Sequence, residues 1–582
     1  MGRQIGAMHV ARIPSRYVGK SGEERRYESV LLRRTFRQEG KVRHETLANL
    51  SHLPGEVIAL VDAALKGVTL VDAEAAFETE RSVPHGDVAA AHVMASKLRL
   101  RKLLGPACAE RDIAYALILS RAVRPESKLS TVGWWAGEDT TLGTDLGVAG
   151  ASTDDVYAAM DWLVSRQRDI EKQLAARHLS PGGIAMFDLS SSWVEGSCCE
   201  LAASGYSRDG KRGRKQVEYG LLTCPEGRPV AVEVFAGNTS DPDSFKTAIT
   251  RVRGDFGIDR LIMAGDRGMI TSTRISDLSK LKGMDWITAL RAPAIAALAR
   301  DDGPLQMSLF DQQNFAEITH PDYPGERLIC CHNPFLAAER ARKREDLLAA
   351  TEKDLAKIRA SADAGRLDGA GEIGERAGKV IGKHKVGKHF LREITGTAFT
   401  FRRDQEKITA EAALDGIYVI RTSVKEDILG PAGVITAYKN LKYVERDFRI
   451  TKADDLDLRP IYHYLGNRVR GHILICMLAA YLTWHLRGAL AELTFTDQDI
   501  PVNDDPVSPA RRSAQATAKD GRKCNTGRLP VRKYGDLLGH LSTLDRQTIN
   551  FSGQRIEKLT SPTPVQRRVF ELLGAPVPLT IQ

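Results

Sequence analysis

The sequence predicts an α/β protein with a mixed sheet carrying helices on both faces, and three observations carry that prediction. Between Ile184 and Arg291, short apolar runs suited to buried strands are interspersed with amphipathic stretches suited to helices. The first three runs follow one another closely, and each of the next two is preceded by a helical stretch. That is the order of an antiparallel group continued by crossover units. Upstream, residues 86 to 177 repeat their apolar residues at steps of three and four, the period of packed helices.

Size and charge set limits on function. The 582 residues leave room for several domains, and 42% hydrophobic residues support ordinary cores. Lys+Arg 83 against Asp+Glu 74 leave a net charge of +9, which leans mildly toward a polyanionic partner. The 8 cysteines include the adjacent pairs Cys198-Cys199 and Cys330-Cys331, but no CxxC and no Cys/His cluster with zinc spacing. A reduced, cytoplasmic protein without an iron–sulfur or structural zinc site is expected. The N-terminal MGRQIGAMHVARIPSRYVGK has no apolar core of signal-peptide length. The most apolar run, Ile473 to Trp484, is too short to span a bilayer and reads as a buried helix, so no membrane role is expected. Aromatics at 6% offer little lining for a carbohydrate groove.

Residues 1–85 read as a basic N-terminal region. One or two strands are expected over Tyr27 to Phe36 and a short helix from Glu45; Arg25, Arg26, Arg33, Arg34 and Arg37 either meet phosphates or line a solvated edge. Residues 86–180 form a mainly helical region of the kind that presents one helix to duplex DNA. At Pro181-Gly182-Gly183 the texture changes, and residues 181–291 form the first part of a core. IAMFDLSSSW is a strand ending at or just beyond Asp188; VEYGLLTC and PVAVEVFA pair antiparallel across the turn PEGR. A helix then starts with Ser240 or Asp241 as cap and Pro242 at its first position. RLIMAGDRGM is a strand ending before Asp266, STRISDLSKLKG a helix and DWITALR a fifth strand.

Residues 292–430 depart from this rhythm. Short polar strands are expected near Asn314 to Ile318 and Glu326 to His332, followed by a charged helix in which Leu348, Thr351, Leu355 and Ile358 form a narrow seam. That seam lies against the body of the protein or against a second copy. Lys379, Lys383, Lys385 and Lys388 either grip a nucleic-acid backbone or belong to a solvated loop. DGIYVIRT is a further strand. Residues 431–498 hold a helix over Tyr438 to Lys452 and the closing helices, and residues 499–582 read as a polar, irregular tail that regains structure at QRRVFELL.

As one continuous helix, Tyr438 to Lys452 places Tyr438, Leu441, Glu445, Phe448 or Arg449, and Lys452 along a single face. Tyr438 and Lys452 then lie about 10 Å to either side of Glu445, a span that suits an extended, charged ligand. Asp188 and Asp266, at strand ends, are the acids to set beside Glu445. Like charges converge in a cleft only when a cation neutralises them, and three hard oxygen donors suit Mg²⁺ or Mn²⁺. With 74 acidic residues in the chain, spacing alone does not single out these three.

Motifs do. FDLSSSW, the GNTSDP stretch with AGDRGM downstream, and Y-x2-L-x3-E-x6-K followed by DLDLRPIYHYLGNRVRGHI together resemble the transposases of the IS4-like group, IS1634-type subgroup, over residues 10 to 490. The resemblance implies a ribonuclease-H-like core interrupted by an insertion domain, with Asp188, Asp266 and Glu445 as the DDE ligands of two Mg²⁺ (or Mn²⁺) ions. It implies that Tyr438 and Lys452 touch transposon-end DNA near the scissile phosphate. Arg267, directly after Asp266, is expected at the cleft mouth on a phosphate. Leu441 stands where the commonest signature has Arg, so Arg446 or Arg449 is expected to supply that contact. Implied partners are double-stranded DNA, as inverted-repeat ends and as target, and a second copy in a synaptic homodimer. The implied reaction is hydrolysis at each end and attack of the freed 3′-hydroxyl on target DNA. A two-metal nuclease of the same fold and a catalytically silent DNA-binding remnant are the competing readings. Of the histidines, His485 is expected in the core, while His472, on one helix with Arg468 and Arg470, is a candidate for reaching DNA.

Overall fold

The structure, a computed structural model, describes residues 4–18, 20, 23–38, 40–68, 77–137, 139–211, 213–300, 303–396, 398–551 and 553–581. The chain forms two compact units, Met1–Ser82 with Gln547–Lys558, and Val83–Arg546 with Leu559–Gln582.

In the first unit, strands Gln4–Val18 (β1), Glu24–Gln38 (β2) and Lys41–Asn49 (β3) make an antiparallel sheet in that order. Helix Gly55–Leu65 (α1) lays Ile58 and Val61 on Val10, Val30 and Leu32 of one face, with Leu50 and Leu53 alongside. The helix expected from Glu45 is corrected: Glu45 lies in β3, opposite Arg34, and the helix begins ten residues later. Val42, His44 and Thr46 are weak helix formers, and the open edge of β2 gives them a ladder to join. Arg26 is drawn to Glu24 at 3.6 Å, Arg33 and Arg34 are half-buried and Arg37 is exposed; the side chain of Arg25 lies outside the described residues. Strand Phe77–Pro84 (β4) forms a second sheet with two strands from the far end of the chain, Asp545–Phe551 and Gln554–Leu559, β15 and β16 in chain order.

The second unit opens with the expected helices, Gly86–Lys97 (α2), Leu100–Leu104 (α3), Ala109–Val123 (α4), Lys128–Ala136 (α5), Leu142–Asp145 (α6) and Thr153–His178 (α7). A capping box at Ser152 and Asp155 starts α7. The sheet follows, built from Ile184–Trp193 (β5), Gln216–Thr223 (β6), Pro229–Ala236 (β7), Leu261–Ala264 (β8) and Met284–Ala289 (β9), with helices Asp241–Gly254 (α8) and Ser272–Ser279 (α9) between the last three. Ser240 caps α8 by accepting the Asp243 N–H, with Pro242 in the first turn. β5, β6 and β7 pair antiparallel, while β8 and β9 run parallel to β5.

After helix Ala292–Leu298 (α10), the expected polar strands Phe315–Ile318 (β10) and Arg327–His332 (β11) do form, and they extend the core sheet. The full order is β10-β11-β14-β9-β8-β5-β6-β7, with β14 at Ile417–Thr422. Helices Pro334–Asp363 (α11) and Ala370–His384 (α12), the hairpin Phe390–Thr395 (β12) with Ala398–Arg403 (β13), and helix Gln405–Ala412 (α13) enclose a small core of their own. Leu348, Thr351, Leu355 and Ile358 are all buried there, so the seam of the charged helix faces its own chain. Lys379 pairs with Glu375, Lys383 with Asp354 and Lys388 with Glu411, which corrects the solvated-loop reading to a helix and its cap.

Pro431–Lys439 (α14) and Leu441–Arg449 (α15) lead to Gly466–Ala489 (α16), which packs on α4, α7 and β7. By length α16 would cross a membrane, but 83% of its apolar window is buried, as expected of a core helix. The irregular tail is corrected, apart from QRRVFELL, where the expected structure forms as a helix. Helices Ala514–Arg522 (α17), Tyr534–Ser542 (α18) and Pro564–Leu572 (α19) flank β15 and β16, and Leu537, Leu541, Val569, Phe570 and Ile581 enter the main core.

Candidate active site

The parallel pairing of β5 and β8 sets the site. Ile184 pairs with Ile262, Ala185 with Met263 and Met186 with Ala264, so Asp188 and Asp266 each stand two residues beyond the last pair. β8 stops at Ala264, whereas β5 runs on to Trp193 as the partner of β6, five residues past the expected end. Asp188 therefore stands beside the end of its neighbour strand, the place where open α/β sheets bind ligands. The Leu189 N–H donates to Asp188 Oδ1 at 2.8 Å.

Helix α15 packs against β5. Val444 and Phe448 are buried, and the Phe448 ring meets Tyr219 edge-on at 5.8 Å. Tyr219 lies opposite Ser190 on the sheet and shares a hydrogen bond with Ser192 Oγ at 3.0 Å. The turn between β6 and β7 closes on the same helix. Gly227 has φ +84°, and a Cβ there would come within 2.6 Å of Tyr443 Cβ. Glu445 is exposed, with Leu441 and Arg449 one turn to either side.

The continuous helix expected over Tyr438 to Lys452 is corrected. It breaks at Asn440, whose N–H reaches back to Thr436 and Ala437, and a π turn, Ile450–Asp454, follows α15. Lys439 anchors the break by donating to the carbonyls of Pro506, Val507 and Ser508. Tyr438 still reaches the acids: Asp266, Glu445 and Asp188 add to the burial that pushes its hydroxyl up, and Arg267 opposes them. Lys452 does not share the Glu445 face. It is buried, and its Nζ donates to Asp209 at 2.8 Å. Arg267 and Arg449 are exposed.

Burial pushes the Asp188 carboxyl up to about 7; the Leu189 N–H opposes it, and the charges of Asp266 and Glu445 add to it. Among the described residues none of the three acids has a salt-bridge partner. Three oxygen donors without Cys or His fit a hard divalent cation, which would offset this mutual repulsion. As placed, they do not close on one point: among the described residues, no three His, Cys, Asp or Glu side chains are gathered tightly enough to hold an ion.

Two residues passed over by the sequence reading make contacts with this region. Arg208 lowers the Asp188 carboxyl, and Asp209 holds both Lys452 and Arg459. The one signal was an acid inside the basic run SRDGKRGRK. His472 is corrected as a DNA contact: it is buried, its Nε2 lies 3.1 Å from the Leu458 carbonyl, and Lys128 Nζ lies 3.3 Å from its Nδ1. His485 sits among the rings of His178, Tyr481 and Trp484, as expected of a core residue.

Two family models match the chain. The IS1634 family transposase N-terminal domain matches residues 18–78, and the transposase DDE domain matches residues 191–482. The second match covers half of the chain; it includes Asp266 and Glu445 and begins three residues after Asp188. Among solved structures, the piggyBac transposase in a synaptic complex with hairpin DNA is similar at 10% identity and a TM-score of 0.32, over 69% of this chain and 71% of that one. A likeness of that size carries no functional argument. No curated protein matches. On the two family models, and on the mixed sheet that underlies the second, the chain belongs to the DDE transposases of the IS1634 family.

Proposed function

We propose that Asp188, Asp266 and Glu445 are the metal ligands with which this transposase cuts the ends of its element and joins them to target DNA. The observation that carries the reading is the register of β5 and β8, which sets the two aspartates side by side, with the Glu445 helix packed on the same strand. As a DDE transposase the protein is a divalent-metal-dependent enzyme acting on DNA; two Mg²⁺ or Mn²⁺ ions are the proposed complement. When bound, such ions supply activation of the attacking hydroxyl and neutralisation of the leaving oxygen.

The chain's own side chains do the rest. Arg267, exposed next to Asp266, is placed to take a phosphate oxygen at the cleft mouth. The half-buried Tyr438 hydroxyl feels the charge of all three acids, and its proposed role is to donate to the DNA strand being cut. Arg449, one turn from Glu445 on α15, offers the cation that Leu441 lacks. Lys452 would have to exchange Asp209 for a phosphate to touch DNA. The helices of residues 86–180 are the proposed end-binding region, and the basic first sheet is a separate candidate for nucleic-acid contact. Because two ends must be cut in concert, a homodimer on DNA is expected, with the protein acting in the cytoplasm at the nucleoid.

The experiment compares Asp188→Asn, Asp266→Asn and Glu445→Gln with wild type on a duplex carrying the element's terminal inverted repeat. Each variant should bind the duplex and lose Mg²⁺-dependent cleavage. Mg²⁺ should raise the melting temperature of wild type and of none of the variants. A folded variant cutting within about tenfold of wild type removes that residue from the site.

A further inference from the structure

The three-stranded sheet of the first unit has two unlike faces, and register fixes them. Val10 pairs with Leu32, Arg12 with Val30, Pro14 with Glu28 and Arg16 with Arg26, so these side chains share the face that carries α1. On β3 the same face takes Glu45, opposite Arg34, and Arg43, opposite Phe36. The other face pairs His9 with Arg33, Thr35 with His44 and Arg37 with Val42. Tyr17 and Tyr27 lie on it further along the hairpin. It is open to solvent: Tyr17, Tyr27 and Val42 are 61%, 53% and 55% exposed, and Arg37 and His44 are exposed as well.

Charge is sorted between the two faces. The strands hold three acids, Glu24, Glu28 and Glu45, and all three fall on the α1 face. There Arg12 lies 3.1 Å from Glu28, and Arg16 and Arg26 each lie 3.6 Å from Glu24. The open face takes no strand acid, so Arg33 and Arg37 keep their charge unopposed on it. Arg33 stands on the middle strand between His9 and Thr46, and its Nε is buried without a hydrogen-bond partner among the described residues. Around it, Thr35 Oγ1 lies 3.3 Å from His44 Nδ1, and the His44 ring meets the His9 ring edge-on at 6.1 Å. Ala11 and Leu31, the next pair along, supply apolar surface of the kind that meets thymine methyl groups.

We propose that this open face is a major-groove reading surface for duplex DNA, with Arg33 as its base-reading side chain. The proposal rests on the reading of this protein as one that binds the duplex ends of its element. Side chains on one face of a strand recur about every 6.8 Å, which is two base-pair rises of about 3.4 Å. Three strands about 4.8 Å apart span about 10 Å, against a major groove about 12 Å wide. A guanidinium offers the paired donors that guanine O6 and N7 accept, and the acid-free face leaves that fork to the DNA. Duplex RNA does not fit, because side chains cannot read its deep, narrow major groove.

The test uses the full-length protein, with binding read by anisotropy in Ca²⁺ on the terminal-repeat duplex and on a scrambled duplex of equal length. Wild type should prefer the repeat. Arg33→Ala should lose about tenfold on the repeat, the scale of one bidentate base contact, and little on the scrambled duplex. Arg33→Lys keeps the charge but not the fork, so it should narrow the preference in the same way. Arg43→Ala removes an equal charge from the α1 face and should leave the ratio of the two affinities intact. Replacing the guanines of the repeat singly by 7-deazaguanine should find one position that weakens wild type and weakens Arg33→Ala no further. Full preference in both Arg33 variants, an equal loss on both duplexes, or the same change of ratio in Arg43→Ala overturns the proposal. A wild type that binds the two duplexes alike would instead remove end recognition as such; a selective wild type with equally selective Arg33 variants removes this proposal alone.

Discussion

Lys128 carries a buried amine into the helical layer. It is 6% exposed, and its Nζ lies 3.3 Å from His472 Nδ1. Burial, with Arg121 adding and Cys476 opposing, pushes the ammonium down to about 7. His472 is pushed well below its usual range, again chiefly by burial. The unfolded lysine stays protonated to about 10.4, so between about 7 and that value the unfolded chain binds the extra proton. Stability from this group is therefore lowest below pH 7 and rises with pH across that window. Lys128→Met is expected to melt higher than wild type at pH 7, and the advantage should shrink by pH 9.5. Thermal melts at the two pH values check it; an advantage of constant size would mean that Lys128 titrates normally in the fold.

At the scale of elements, α11 and α12 with the β12–β13 hairpin have a core separate from that of the eight-stranded sheet. Leu355 is 0% exposed in it. Leu355→Ala should cost about 2–5 kcal/mol through the cavity it leaves. Cleavage per folded molecule should hold, since Leu355 belongs to this separate cluster. A loss of activity with no loss of stability would contradict that separation. The strands of the core sheet and the Ser240 cap were legible because each depends on residues close in sequence: alternation, turn chemistry, a cap and its proline; the three candidate acids stood out only through longer motifs. The break at Asn440 was not legible. No Gly or Pro marks it, and what holds it is Lys439 reaching carbonyls 67 to 69 residues away. Asp209 escaped for a related reason, since an acid in a basic run reads as solvated until Lys452 and Arg459 fold onto it.

At the scale of the whole molecule, the C-terminal residues are part of the core. Val565, Val569, Phe570, Leu573 and Ile581 are each 4% exposed or less, the Ile581 N–H donates to Asp145, and His85 Nε2 lies 2.7 Å from the Pro578 carbonyl. Five such side chains at about 1.5–3 kcal/mol each rival the whole stability of a typical domain. Removing residues 560–582 should therefore give a chain that is insoluble or lacks a cooperative melt, read by soluble yield and circular dichroism. A truncated chain melting within a few degrees of full length would refute it. These residues were read as a tail because their apolar positions come in short, scattered groups, and only their fit against α2 makes them core.

The pairing of β4 with β15 also sets a clock. β4 leaves the ribosome about 460 residues before β15 is made, which at 5–20 residues per second is a wait of roughly 20–90 s. For that interval the edge that β15 will cover is open to any other strand. The synthesis of β15, more than the folding of the N-terminal residues, decides when this unit stops being prone to aggregate.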